Sequence, residues 1–360
     1  MLLVTETFYP AVDGTTTTVK AAADRLVDLG HEVRVVAPAP GLATYRGCQV
    51  VRISPLAKPG AQVRAAVDAF RPDVAYVTSP GTGPASLGRK ALKHCRRVGV
   101  PTVVVQQSPV PDLSWDYWRR TVADRADRLL VTAPWLARRL AGLGVTADVW
   151  LPGVDTRAFT PALRDEWLHH HWSKASSRDT PLVVVGYVGS LHKRHGVRRL
   201  AALADLPEVR PVVVGDGPQR DWLASRLPRA KVTGTLGTGD LAVAMATFDV
   251  LVHPGEQETC CHALREAGAS GVPVVAPRSG GARDVVEHLG SGLLHDAGDE
   301  HGLVRAVASL AADRRRALLG EHGRDLAARR SWSRAADDLV EVLAGACGGL
   351  ADARPRPVAR

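Results

Sequence analysis

Between His253 and Pro277 the chain reads HPGEQETCCHALREAGASGVPVVAP, and no other stretch constrains the fold so strongly. An amphipathic helical pattern runs into a Gly-Val-Pro turn and then an apolar strand, so helix, turn and strand signals agree. Glu258 and Glu266 stand eight residues apart, on either side of the helical pattern. At about 3.6 residues per turn this is a little over two turns, so with Glu258 at or just before the helix start both carboxylates line one edge of a cleft. Such a pair suits two polyols. Thr259, Cys260 and Cys261 lie between them and are expected to offer free backbone N–H groups at a helix N-terminus, a ready site for a phosphate. A sugar and a diphosphate are therefore the leading ligands.

The chain has 360 residues, long for one domain and comfortable for two α/β domains, each with its own core. Its hydrophobic fraction of 45% is that of a globular protein. No apolar stretch reaches the roughly 20 residues of a membrane span, and Met1 to Val4 leads straight into polar Thr5 and Glu6 with no basic segment before it, so a cytoplasmic protein without a signal peptide is expected. The five cysteines are odd in number and lack C-x2-C spacing, which argues against a disulfide framework or a zinc site. The net charge of +9 is scattered rather than striped, and no basic stripe interleaved with aromatics marks a nucleic-acid face. The densest basic cluster, Arg89, Lys90, Lys93, Arg96 and Arg97, falls on one expected helix. A solvated face is the expectation there, with peripheral membrane contact as the alternative.

Along the chain, MLLVTETFYP reads as a buried strand, and the loop Ala11 to Gly14 leads into a helix from about Thr15 to Leu29. Strands in HEVRVVAP, DVAYVTSP, PTVVVQQS, RLLVTAP and ADVWLPGV follow, with helices near Ala85 to Val98 and Trp115 to Ala126. A polar segment from Asp155 to Asp179 then joins a second unit of the same kind, with strands in LVVVGYVGSL, RPVVVGDGP, AKVTGTL, DVLVHPG and VPVVAPRSGG. Strands alternating with helices imply parallel sheets covered on both faces, with ligands at the C-terminal strand ends. His169, His170 and His171 are adjacent, so on a helix they point in different directions; a solvated linker is expected and no metal.

The Glu258 and Glu266 stretch resembles the Glu-x7-Glu signature of glycosyltransferase family 4, retaining enzymes of the GT-B fold, and the resemblance runs from TETFYPAVDG to about Ser333. It implies an α/β architecture of two doubly wound, Rossmann-like domains facing a cleft. Residues 1–154 would form the acceptor-side domain and 155–330 the domain for the nucleotide sugar. Residues 331–348 would be a helix packing back toward the first, and 349–360 a disordered tail.

The resemblance also assigns roles. Glu258 would bond sugar hydroxyls of the donor and Glu266 its ribose, each charged acceptor worth ~1.5–3 kcal/mol where water is excluded. Gly14, beside Asp13, opens a helix against donor and acceptor. Gly189 begins GSLHKRHG, the second phosphate element, where relatives carry an Arg after the glycine and a Lys five residues on. Ser190 and His195 stand there instead, so Lys193 and Arg194 are expected to supply the cationic charge that a leaving diphosphate requires. Gly215 and Gly217, in VGDGP, resemble the loop near the nucleotide, and ordinary turn chemistry explains them equally. Gln107 takes the place of a family His near the donor sugar; an amide bonds a hydroxyl but is no general base. Front-face displacement, with the departing phosphate taking the acceptor proton, is the implied mechanism, needing no cofactor and no metal.

Acceptor contacts are expected from PDLSWDYW, through Asp112, Trp115 and Asp116, since aromatic faces suit rings and carboxylates suit ammonium groups. The expectation is therefore a retaining glycosyltransferase using a UDP- or GDP-linked sugar on a small polar acceptor such as an aminocyclitol, with small molecules as partners and no nucleic acid. The alternatives are a GDP-mannose-dependent α-mannosyltransferase acting on a lipid headgroup, and a non-catalytic binding protein on a decayed scaffold. A dinucleotide-binding dehydrogenase is disfavoured because no G-x-G-x-x-G follows the first strand.

Overall fold

The computed structural model describes residues 1–11, 13–174, 180–299 and 301–348, so the expected tail at 349–360 lies outside the described residues. The chain divides into two compact units, one made of Met1–Pro152 together with the segment from Trp332, the other of Gly153–Ser331.

In the first unit the strands are β1 (Leu2–Val4), β2 (Arg34–Pro38), β3 (Thr44–Tyr45), β4 (Cys48–Ile53), β5 (Ala75–Thr78), β6 (Thr102–Gln106), β7 (Arg128–Val131) and β8 (Asp148–Val149). They form one sheet in the order β3-β4-β2-β1-β5-β6-β7-β8. Only the short hairpin partner β3 runs antiparallel, while β1 sits between β2 and β5 with Leu2 opposite both Arg34 and Ala75. The alternation of side chains along each strand divides the core in two. Leu2, Val4, Val36, Ala75, Val77 and Val104 point to one face and meet the helices Pro59–Phe70 and Leu87–Val98. Leu3, Val35, Ala37, Tyr76, Val103 and Val105 point to the other, against the helices Gly14–Asp28 and Trp332–Gly348. The helix Trp332–Gly348 is fixed to this unit by Trp150 Nε1, which donates to Ala335 O at 2.7 Å, and by the Arg25–Asp337 ion pair.

The second unit contains β9 (Val183–Val188), β10 (Val209–Val214), β11 (Lys231–Gly234), β12 (Val250–Val252), β13 (Val274–Pro277) and β14 (Gly292–His295). Their order is β11-β10-β9-β12-β13-β14, and every pairing is parallel. Again the two faces have separate cores. Val184, Val212, Leu251 and Val274 meet the helices Thr238–Thr247 and His262–Ala269; Val185, Val213, Val250 and Val275 meet the helix Gly302–Ala312.

Several expectations are corrected. The segment from Asp155 is no solvated linker: Phe159 and Trp172 are buried in the second core, and His169 Nε2 lies 3.0 Å from partly buried Asp249. His171 instead stacks on Trp167 at 5.6 Å, so the adjacent histidines have separate environments. The helix expected from Trp115 to Ala126 stops at Thr121 and continues as a 3-10 turn, Ala123–Arg125. The basic helix is not a plain solvated face either. Arg89 is buried, donating to Gly81 O at 2.8 Å, to Gly83 O and to the Tyr117 hydroxyl, over whose ring it also sits at 4.8 Å. No helix among the described residues is long and apolar enough to cross a membrane.

Candidate functional site

In the second unit the relevant residues gather where parallel strands end. Gly189 follows β9, and Gly215 and Gly217 follow β10. Their φ angles of 151°, 134° and 152° are of the kind side chains avoid. The close approach is more decisive: a Cβ on Gly215 would overlap Gly189 O, and one on Gly217 would lie 2.8 Å from Leu191 O. The two glycine loops are thus packed backbone to backbone. Gly196 does the same for the third loop, since its Cβ would meet Pro254 O at 2.5 Å. That contact brings the turn Lys193–His195 against the loop that follows β12.

Glu258 lies in that loop, four residues before the helix His262–Ala269 begins. Its Oε1 is 2.7 Å from His195 Nδ1 and 3.8 Å from Nε2 of buried His253. Burial alone would raise the Glu258 carboxyl; the hydrogen bond with His195, together with His253 and His262, more than offsets it and holds the group at about 2. The backbone is equally fixed. Gly281 N donates to Glu258 O at 2.7 Å, and a Cβ on Gly280 would meet Glu256 O at 2.7 Å and Glu258 N at 3.0 Å.

Thr259, Cys260 and Cys261 form a buried turn before the helix, with Cys261 as N-cap in the left-handed conformation at φ 51°. Burial raises the Cys261 thiol well above its ordinary value, so it stays protonated. Glu266 sits on the helix itself, and part of its surface meets solvent although its carboxyl is closely surrounded. Burial alone pushes it up to about 7. One carboxylate is therefore held ionised and the other close to half-protonated at neutral pH.

The two candidate cations differ. Lys193 is exposed and makes no ion pair among the described residues, whereas Arg194 Nε donates to His195 Nε2 at 3.1 Å. Ser190 is exposed, and its carbonyl accepts the Tyr187 hydroxyl at 3.1 Å.

The first unit places its expected residues less evenly. Asp13 caps the helix Gly14–Asp28, its Oδ1 accepting from Thr16 N at 2.8 Å, so its carboxylate is already engaged. Gln107, buried just past β6, accepts from Thr18 Oγ1 at 3.1 Å and donates its backbone N–H to Ser79 Oγ at 2.8 Å. The helix opened by Gly14 is thereby tied to the ends of β5 and β6. Asp112 forms an ion pair with Arg139, and Trp115 stacks on buried Trp118 at 5.5 Å. Asp116 is exposed.

Sequence reasoning missed three residues that shape these sites. Glu6 accepts from Ser86 Oγ at 2.6 Å and from the N–H groups of Leu87 and Gly88, closing the N-terminus of the helix Leu87–Val98 to outside anions. Arg52 donates to Leu42 O, Pro38 O and Tyr9 O, binding the loops after β1 and β2 together. His253 was visible only as the residue ending an apolar strand.

Comparison with known proteins agrees with this architecture. The family described as Glycosyltransferase Family 4 matches residues 12–158, and that described as Glycosyl transferases group 1 matches residues 183–313. The chain is 37% identical over 367 aligned residues to a GDP-mannose-dependent alpha-mannosyltransferase of Mycolicibacterium smegmatis, covering 94% of this chain and 95% of that protein. An enzyme of the same description from Corynebacterium glutamicum is 32% identical, over 86% of this chain and 80% of that one. Among solved structures, sucrose-phosphate synthase from Thermosynechococcus elongatus superposes with a TM-score of 0.80 at 18% identity, covering 97% of this chain and 99% of that one. Anabaena HepE in complex with UDP-glucose gives 0.79 at 20% identity, covering 96% and 100%. At such identities the structural matches speak for the GT-B fold. The chain belongs to glycosyltransferase family 4. It is a glycosyltransferase with a nucleotide-sugar donor.

Proposed function

We propose that this enzyme transfers mannose from GDP-mannose, with retention of anomeric configuration, to a hydroxyl of a small polar acceptor. The relatives named for GDP-mannose support the donor. The observation that carries the site assignment is the pair of carboxylates on one loop–helix segment, Glu258 held ionised beside His195 and Glu266 within the following helix. An ionised carboxylate is a strong acceptor for sugar hydroxyls, and in this reading Glu266 takes the ribose. Gly189, Gly215 and Gly217 give a donor close access to backbone, while Arg194 and Lys193 bring positive charge beside it. In this reading Gln107 orients a hydroxyl, and the leaving phosphate takes the acceptor proton.

The first test is calorimetric titration with GDP and with UDP at moderate salt. Micromolar binding of GDP, lost in Glu266→Gln, is the expected result; binding of neither nucleotide would return the chain to a decayed scaffold. Transfer is read as metal-independent, on the support of Lys193 and Arg194 as cations, and it should survive excess chelator.

The acceptor reading changes in emphasis. A cationic aminocyclitol would rely on Asp112 and Asp116, and Arg139 already neutralises Asp112. Support for membrane contact through the helix Leu87–Val98 narrows to exposed Lys93, Arg96 and Arg97. A cytoplasmic setting is supported by five unpaired cysteines, which suit a reducing compartment.

A further inference from the structure

Arg194 and Glu258 both touch the imidazole of His195, on opposite nitrogens. A guanidinium N–H only donates, so His195 Nε2, 3.1 Å away, must accept and carries no proton. The ring proton of the neutral imidazole then sits on Nδ1, where it is donated to Glu258 Oε1 at 2.7 Å. One side chain thus fixes the carboxylate while leaving it charged. A cation in the same place would neutralise it and weaken it as an acceptor for hydroxyls.

We propose that neutral His195 is a positioning residue, which aims Glu258 at the donor sugar without neutralising it and holds Arg194 beside the donor. This rests on the donor reading above. Protonation at Nε2 turns the acceptor of Arg194 into a second donor, so Arg194 is expelled, and the imidazolium draws Glu258 into a neutralising ion pair. The titratable and charged groups around the imidazole are Arg194 and Lys193 on its own turn, His192 at the start of that turn, whose Nδ1 accepts from Arg194 N at 3.4 Å, and Glu258 and His253 from the loop after β12. His253 is held below the ordinary imidazole range by burial, and nearby Glu256 is paired with Arg199 at 2.6 Å. Glu266 also titrates near neutrality, but it faces the nucleotide in this reading, so it alters GDP and GDP-mannose affinities together.

The ratio of GDP-mannose affinity to GDP affinity therefore isolates the sugar end. In the wild type this ratio should fall about fivefold or more once pH is lowered far enough to protonate the imidazole. In His195→Asn, whose amide donates from nearly the Nδ1 position but does not titrate, the ratio should be retained at pH 8 and flat with pH. In His195→Ala it should drop ~10-fold or more at pH 8. A pH dependence in His195→Asn equal to that of the wild type, or an unchanged ratio in His195→Ala, overturns the proposal. Should His195→Ala fail to fold, the wild-type and His195→Asn profiles decide alone. Failure of the wild type to bind either compound sinks the donor reading itself, whereas normal binding with unaltered His195 variants sinks only this inference.

Discussion

Glu258 is ionised because His195 donates to it, despite a burial that alone would push its proton affinity the other way. Its carboxyl sits at about 2 against an ordinary 4.5, and its side chain is only 21% exposed. Folding therefore gains stability above pH 4.5, where the unfolded group is ionised too, and loses it as pH falls toward 2. Glu258→Gln should cost roughly 1–3 kcal/mol at pH 7. The gap to the wild type should close as denaturation is followed down to about pH 2; a constant gap would contradict its origin in an ionised, hydrogen-bonded carboxylate.

Glu266 has the opposite sign. Its folded value of about 7 lies above its ordinary 4.5, so below pH 4.5 both states are protonated and nothing is contributed. Between 4.5 and about 7 the unfolded chain ionises while the folded one keeps its proton, and stability declines; above 7 the loss is constant. Glu266→Gln should match the wild type in urea melts at pH 4 and exceed it at pH 8, while losing nucleotide affinity. Greater stability of the wild type at pH 8 would refute the assignment.

Gly280 tests how tightly the Glu258 loop is clamped. With φ at 55° and backbone 2.7 Å from where a Cβ would stand, Gly280→Ala should cost ~2 kcal/mol or more and weaken donor binding. Gly30 is the control: its φ is 80° but no atom lies within 4 Å of a Cβ, so Gly30→Ala should cost only about 1 kcal/mol and leave binding intact. Equal effects at the two sites would show that strain alone matters.

Arg89 should behave as a structural anchor rather than a surface charge. Arg89→Met leaves Gly81 O, Gly83 O and the Tyr117 hydroxyl without their donor, which should cost ~2 kcal/mol or more by thermal unfolding. Lys93→Met, four residues along on the exposed side, should stay within about 0.5 kcal/mol. A small loss for Arg89→Met would restore the solvated-face view of this helix.

Most buried strands were legible because a strand covered on both faces is an uninterrupted apolar run, as in Thr102–Gln106 and Val183–Val188. What escaped was short or ambiguous. β4, Cys-Gln-Val-Val-Arg-Ile, mixes buried and exposed positions near the sheet edge, and the Ala-rich helix Pro59–Phe70 carries few apolar residues to mark its period. Within the site, spacing found both glutamates and the glycines. It had no means of pairing His195 with Glu258, 63 residues apart, or of seeing that Arg139 engages Asp112. Those contacts exist only once segments that follow different strands meet beyond the strand ends.

The helix Trp332–Gly348 completes a core that begins with β1, since Ala335, Leu339 and Leu343 share a cluster with Leu3 and Val35. A ribosome delivers all of the second unit before it delivers that helix. The half of the chain made earliest therefore waits longest to finish its packing, and its exposed flank must be kept from unwanted partners until roughly 330 residues have been synthesised.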